Sequence, residues 1–248
     1  MISFIRTILT AVVAAVATLF FGTIVVVAAA CGVDHRTSPW LPQIPRIWSR
    51  CILLAAGVKV RVHGLEHLED AAGKMSGPFI FACNHVSHFD IPVLTGVLPK
   101  HYFVAKSELF KIPVFGPGIR AVGTIPIERN NQKAAFGSYA VAAGRIRDGS
   151  SVIVFPEGTR GMAYPIRPFK KGPFVLAVEA GVPVVPCIVH GTLDVLPKKS
   201  LRIHPRVVDV HVLASVPSAG LTYDQRNTLA DAVHARMADA MESLYHNA

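Results

Sequence analysis

Paired cysteine is missing from this chain: Cys31, Cys51, Cys83 and Cys187 are scattered without a Cys-x-x-Cys pair. That excludes a zinc knuckle or a thioredoxin-like site. Two of the four sit inside apolar runs, where thiols pack as small hydrophobes, so all four are read as reduced and structural. Also missing are a Lys/Arg run interleaved with aromatics and any zinc-finger spacing, and without them nucleic acid is disfavoured as a partner. Acid is scarce as well, with 16 acidic against 25 basic residues and a formal net charge of +9, which favours phospholipid head groups or phosphorylated substrates. No internal repeat or low-complexity linker occurs, and 248 residues suffice for one sizeable α/β domain with an appendage.

Charge itself is absent between Arg6 and Asp34, where nothing from Ile8 to Val33 is more polar than Thr10, Thr18 and Thr23. As a helix, that stretch can span a ~30 Å hydrocarbon core. A cleaved signal peptide would have a shorter apolar region and a richer basic start than the lone Arg6. Lipoprotein processing at Cys31 is weakened by alanine in place of a larger aliphatic residue three positions before it. Pro39-Trp40-Leu41-Pro42 is a turn signal, and the apolar segment Ile44 to Val58 follows it; both tryptophans, Trp40 and Trp48, fall here. Basic residues downstream (Arg36, Arg46, Arg50, Lys59, Arg61) outnumber the one upstream and place the remainder of the chain on the cytoplasmic face of the cell membrane. Residues 1–58 are therefore expected to be a membrane-associated helical segment, either one span or a helix pair within one leaflet, and residues 59–248 the catalytic domain.

Beyond it, Lys59 to Val62 alternates as a strand would, and Pro78 to Cys83 is a continuous apolar run suited to a buried strand. Pro92 restricts the next helix to a start close to Asp90. Lys133 to Asp148 reads as a helix ended by Gly149; Ser151 to Phe155, Val182 to Val189 and Val207 to Val216 read as strands. Thr222 to Gln225 forms a capping box ahead of a terminal helix whose buried face is expected to comprise Leu229, Val233, Met237, Ala240 and Leu244. Alternating strands and helices predict an α/β sandwich over a mixed, largely parallel sheet.

Within this frame His85 and Asp90 stand five positions apart in a strand-to-helix turn, where chemistry in α/β folds concentrates. A histidine whose second ring nitrogen is held by a carboxylate is a general base for a hydroxyl. Either residue alone would more readily be a cap or a core group. A metal reading takes His85, His88 and Asp90 as ligands, but no further ligand cluster accompanies them. Ser87 lacks the Gly-x-Ser-x-Gly turn of a nucleophile elbow.

The block Asn84 to Asp90, followed by Gly123 to Arg129, Phe155 to Arg160 and Val182 to Pro186, resembles the four ordered motifs of the 1-acylglycerol-3-phosphate acyltransferase family over roughly residues 60–215. The resemblance implies a fatty acyl transfer from acyl-CoA or acyl carrier protein to a lysophospholipid, with no metal or bound cofactor and with membrane phospholipid as partner. It makes His85 and Asp90 catalytic and His88 a neighbour without a chemical role. By the same resemblance Arg129, Gly158, Thr159 and Arg160 form a phosphate site, Glu157 orients nearby groups or the acceptor, and Lys106 binds phosphate or stabilises the oxyanion. Val182 to Pro186 is expected to line the acyl pocket, and Lys170-Lys171 to add positive charge at the mouth. Pro126 stands where the family usually has a bulky aromatic, which bears on local strand geometry and acceptor fit. Other acceptors (a different lysolipid, a glycolipid) and a membrane-bound hydrolase remain the alternatives.

Overall fold

A computed structural model describes residues 2–128 and 132–245. Two helices come first, α1 (Ile2–Ala30) and α2 (Gln43–Ala56), before β1 (Lys59–His63) and β2 (Ile80–Cys83). Then follow α3 (Asp90–Val97), β3 (His101–Lys106), α4 (Phe115–Ala121), β4 (Ile125–Ile127), α5 (Gln132–Arg147) and β5 (Ser151–Val154). The chain closes with α6 (Gly172–Ala180), β6 (Val184–His190), α7 (Thr192–Val195), β7 (Val207–Val212) and α8 (Arg226–Tyr245). One seven-stranded sheet runs in the order β1-β7-β6-β2-β5-β3-β4. Every pairing is parallel except β6 with β7, so the sheet is mixed and largely parallel as expected.

Strand β2 is central and wholly buried, which is why it reads as an unbroken apolar run. Phe79, Phe81 and Cys83 face a core layer with Ile52 and Leu53 of α2 and Val93 and Leu94 of α3. Ile80 and Ala82 face the opposite layer, with Ile146 of α5, Phe174 of α6 and Val233 and Met237 of α8. Helices thus cover both faces of the sheet. Neighbouring β6 is also packed on both sides, with Val185 in the first core layer and Val182 and Val184 in the second.

Strand β7 ends sooner than its apolar pattern suggests. The ladder runs from His190↔Asp209 to Cys187↔Val212, but the next bridge is Val184↔Val216, a register one residue longer. Pro186 lies opposite the break. It has no N–H to continue the ladder, and the extra residue is accommodated as a bulge. On α8 the buried stripe is Leu229, Ala230, Val233, Met237 and Met241. It advances by four residues at a time, so Met241 takes the place expected of Ala240, and Leu244 is 44% exposed. Pro126 lies in β4, an edge strand paired only with β3, where a missing N–H is tolerated and the strand persists.

Helix α1 lies along the domain. The Ser3 hydroxyl donates to the Ile203 carbonyl, the Ile203 N–H donates to Thr7, and Trp48 of α2 donates its indole N–H to Thr18. Thr10, Ala17, Val25 and Ala28 are buried, while Phe4, Ile8, Val12, Leu19 and Phe20 are exposed. The helix is long and apolar enough to cross a membrane.

Candidate active site

Strands β2 and β5 are parallel neighbours with Ala82 opposite Val154. Carried past the strand ends, that register sets His85 level with Glu157, and so brings the first and third sequence motifs together. Asn84 finishes β2 by imitating a peptide group: its amide donates to the Val189 carbonyl and accepts from the Val189 N–H, at 3.0 and 2.7 Å. The chain then turns sharply into α3, and Asp90 at its first position points back into the turn.

Asp90 is fully buried and hydrogen-bonded on both oxygens. Oδ2 accepts from His85 Nδ1 at 2.7 Å and from the N–H groups of Val86 and Ser87 at 2.8 and 2.9 Å; Oδ1 accepts from the Thr192 hydroxyl at 2.5 Å. A buried carboxylate needs such company to keep its charge. The bond through Nδ1 leaves Nε2 of His85 as the nitrogen able to accept a proton; no described residue bonds it, and the side chain keeps 18% of its surface exposed. The Phe155 ring stacks on the imidazole, centroids 4.1 Å apart. Ser87 is buried, with its hydroxyl donating to the Leu196 carbonyl. His88 is exposed on the turn; partial burial of its ring, then the Arg160 charge, hold its imidazole below the ordinary value.

Glu157 is also buried, and both of its oxygens are engaged. Oε1 accepts from the His85 N–H at 2.9 Å and Oε2 from Arg167 Nε at 2.6 Å. The Gly161 N–H donates to the His85 carbonyl at 2.7 Å, so the backbone of His85 is held on both sides by the loop after β5. The base of that loop is closed by the Lys170 N–H donating to the Pro156 carbonyl, and Gly158 adopts a left-handed φ of +79° at its first turn. Tyr164 ties the loop to the turn before α7, accepting from the Gly191 N–H and donating to Asp194; burial, then that bond, push its phenol up.

A cavity of about 420 Å³ opens beside Phe155, lined by Lys106, Gly158, Thr159, Lys170 and Glu128 among others. Two cations, the carboxylates of Glu108 and Glu128 and the Gly158-Thr159 turn therefore converge on one cleft, next to the Phe155 ring that stacks on His85. Arg160 is not among the residues lining it; its carbonyl accepts from Lys198 Nζ at 2.8 Å and its charge acts on His88. Arg129 lies outside the described residues. Of the anticipated cluster, His85, Asp90 and Glu157 form one hydrogen-bonded unit, and Lys106, Gly158 and Thr159 line the adjoining cleft. Arg167 and Thr192 were not foreseen. Both lie beyond the motifs and meet them only through loop folding.

An acyltransferase family model matches residues 59–190, more than half of the chain. The chloroplastic 1-acyl-sn-glycerol-3-phosphate acyltransferase of Brassica napus is 31% identical over 198 residues, 80% of this chain and 55% of that protein. The human 1-acyl-sn-glycerol-3-phosphate acyltransferase alpha is 36% identical over 183 residues, 73% of this chain and 63% of that one. The chain spans little more than half the length of the plant relatives, 55% in Brassica and 53% in Arabidopsis thaliana. The crystal structure of the 1-acyl-sn-glycerophosphate acyltransferase from Thermotoga maritima matches with a TM-score of 0.80 and 26% identity, covering 98% of this chain and 95% of that one. With the sheet order, the His85–Asp90 turn and the Phe155–Arg160 loop all in place, the chain belongs to the acyltransferase family.

Proposed function

We propose that this protein is a 1-acylglycerol-3-phosphate O-acyltransferase, moving a fatty acyl group from acyl-CoA or acyl carrier protein to the free sn-2 hydroxyl and forming phosphatidic acid. The observation that carries the reading is the His85 imidazole with Nδ1 bound to a buried carboxylate and Nε2 without a described partner. The relatives' activities give the substrate class. In this mechanism the acceptor hydroxyl attacks the thioester carbonyl while Nε2 of His85 takes its proton. Asp90 holds the tautomer and stabilises the imidazolium. The tetrahedral intermediate collapses with rupture of the C–S bond, and the thiolate leaves with the proton returned by His85. No metal or cofactor enters. Lys106, Lys170 and the Gly158-Thr159 turn would receive the acceptor phosphate, and the family resemblance adds Arg129 and Arg160 to that site; guanidinium and ammonium groups suit a dianion.

We place the enzyme on the cytoplasmic face of the cell membrane with α1 lying in one leaflet. This is supported by the bonds from Ser3, Thr7 and Thr18 to the domain, which tie the helix down along its length. Ile112, Val114 and Phe115 are exposed apolar residues as well, and Val114 packs beside Gly22 of α1. The test is purified protein with acyl-CoA and a panel of lysolipids, scored by thiol release and product mass, with and without chelator. Thiol release independent of an acceptor would indicate a hydrolase and overturn the assignment.

A further inference from the structure

Arg167 lies outside every recognised motif, yet its side chain, 38% exposed, is bonded through the guanidinium to the loop that holds His85. Its Nε donates to Glu157 Oε2 at 2.6 Å, Nη1 donates to the Thr159 hydroxyl at 3.3 Å, and Nη2 donates to the Thr159 carbonyl. A Cβ added at Gly161 would lie 3.3 Å from Nε and 3.6 Å from the His85 carbonyl. A side chain at 161 would crowd the guanidinium against the backbone segment that bonds His85. Glu157 keeps only 2% of its side chain exposed, and its partners are one neutral N–H, that of His85, and one cation, Arg167. A buried carboxylate with a single neutral donor carries a large desolvation cost, so loss of the cation would drive Glu157 to move toward new partners. Such a movement acts directly on the backbone of His85, whose N–H donates to Glu157.

We propose that Arg167 is a positioning residue for the acyl transfer, acting through Glu157 to fix the backbone of His85, and through Thr159 to set one wall of the phosphate cleft. Glu157 is thereby committed to the base and is not an acceptor ligand. The proposal rests on His85 being the base. A positioned group that drifts by about 1 Å can lose on the order of 100-fold in rate. Arg167→Ala should lower kcat about 10- to 100-fold while leaving the KM for acyl-CoA unchanged. Arg167→Lys keeps a cation for Glu157 but loses the fork to Thr159; it should recover most of kcat and raise the acceptor KM.

The decisive measurement is a double-mutant cycle with Glu157→Gln, on full-length protein in detergent micelles with acyl-CoA and 1-oleoylglycerol 3-phosphate. In the Glu157→Gln background, Arg167→Ala should cost less than threefold further. Additive losses, a wild-type kcat in Arg167→Ala, or a lysine variant as poor as alanine would overturn the proposal. A second readout does not depend on turnover: with [15N]histidine labelling, amide exchange at His85 should accelerate at least tenfold in Arg167→Ala, while His101 and His190 in their strands stay unchanged. Unchanged exchange at His85 refutes the coupling. A wild-type protein that transfers no acyl group instead refutes the functional assignment and leaves the exchange result standing. If the alanine variant does not fold, the lysine variant and Glu157→Gln carry both measurements.

Discussion

Replacing His85 with alanine removes the ring nitrogen proposed to take the proton while sparing the core. Its acyl transfer should fall about 10²- to 10⁴-fold with an unchanged far-UV spectrum. Asp90→Asn should be as damaging to turnover and also destabilising, since the amide must meet a hydroxyl, an imidazole N–H and two backbone N–H groups that all donate to the carboxylate. Far from the site, the Arg61 guanidinium, and after it His63, hold the Asp209 carboxyl below its usual range despite partial burial. A depressed folded value gives stability that is present above the unfolded carboxylate value of about 4 and is lost as pH falls through the folded one. Arg61 is 63% exposed, so solvent screening keeps the pair's contribution small. Arg61→Ala should lower the Tm slightly at pH 7, and the difference from the parent protein should shrink as pH falls below the carboxylate range.

At the scale of elements, the loop after β5 depends on one residue's backbone freedom. Gly158→Ala meets a left-handed φ and a Lys170 Cγ 3.2 Å from its new methyl. It should cost about 1–2 kcal/mol in thermal scans and raise the acceptor KM. Helix α1 has its own test. Cys31, at its end, is exposed, whereas Cys83 and Cys187 are buried. In a Cys51→Ser background, an impermeant maleimide should label Cys31 from the cytoplasmic side of sealed inside-out vesicles; protection there and labelling from the other side would establish a single span. The elements themselves were largely readable because buried parallel strands announce themselves as apolar runs, and the His85–Asp90 pair because its partners are five residues apart. Thr192 stands 102 residues from Asp90, and Arg167 reaches Glu157 only because the loop doubles back, so no local spacing marks either. The bulge opposite Pro186 and the drift of the α8 stripe escaped for a related reason: each depends on what the neighbouring element offers.

Across the whole molecule, the boundary between membrane segment and catalytic domain is crossed by packing. Ile52, Leu53 and Ala56 of α2 belong to the same core layer as Val93 and Leu94. We therefore propose that α1 can be removed but α2 cannot. Deleting residues 1–37, which keeps the buried Ser38 and Leu41, should leave a folded domain, whereas deleting residues 1–58 should expose that layer, each lost large side chain costing on the order of 2–5 kcal/mol. Circular dichroism and limited proteolysis of the two truncations distinguish these outcomes.

Because α1 is fastened to the rest of the chain at Ser3, Thr7 and Thr18, the proposed seating of that helix in one leaflet would hold the cleft beside Lys106 at a fixed height over the bilayer surface. An enzyme so moored meets its acceptor by lateral diffusion, in two dimensions. The concentration that governs its rate is then the mole fraction of lysolipid in the membrane and not its amount per volume of suspension. Diluting the acceptor with inert phospholipid at constant bulk concentration should slow turnover in proportion, while adding more vesicles of the same composition should leave it unchanged.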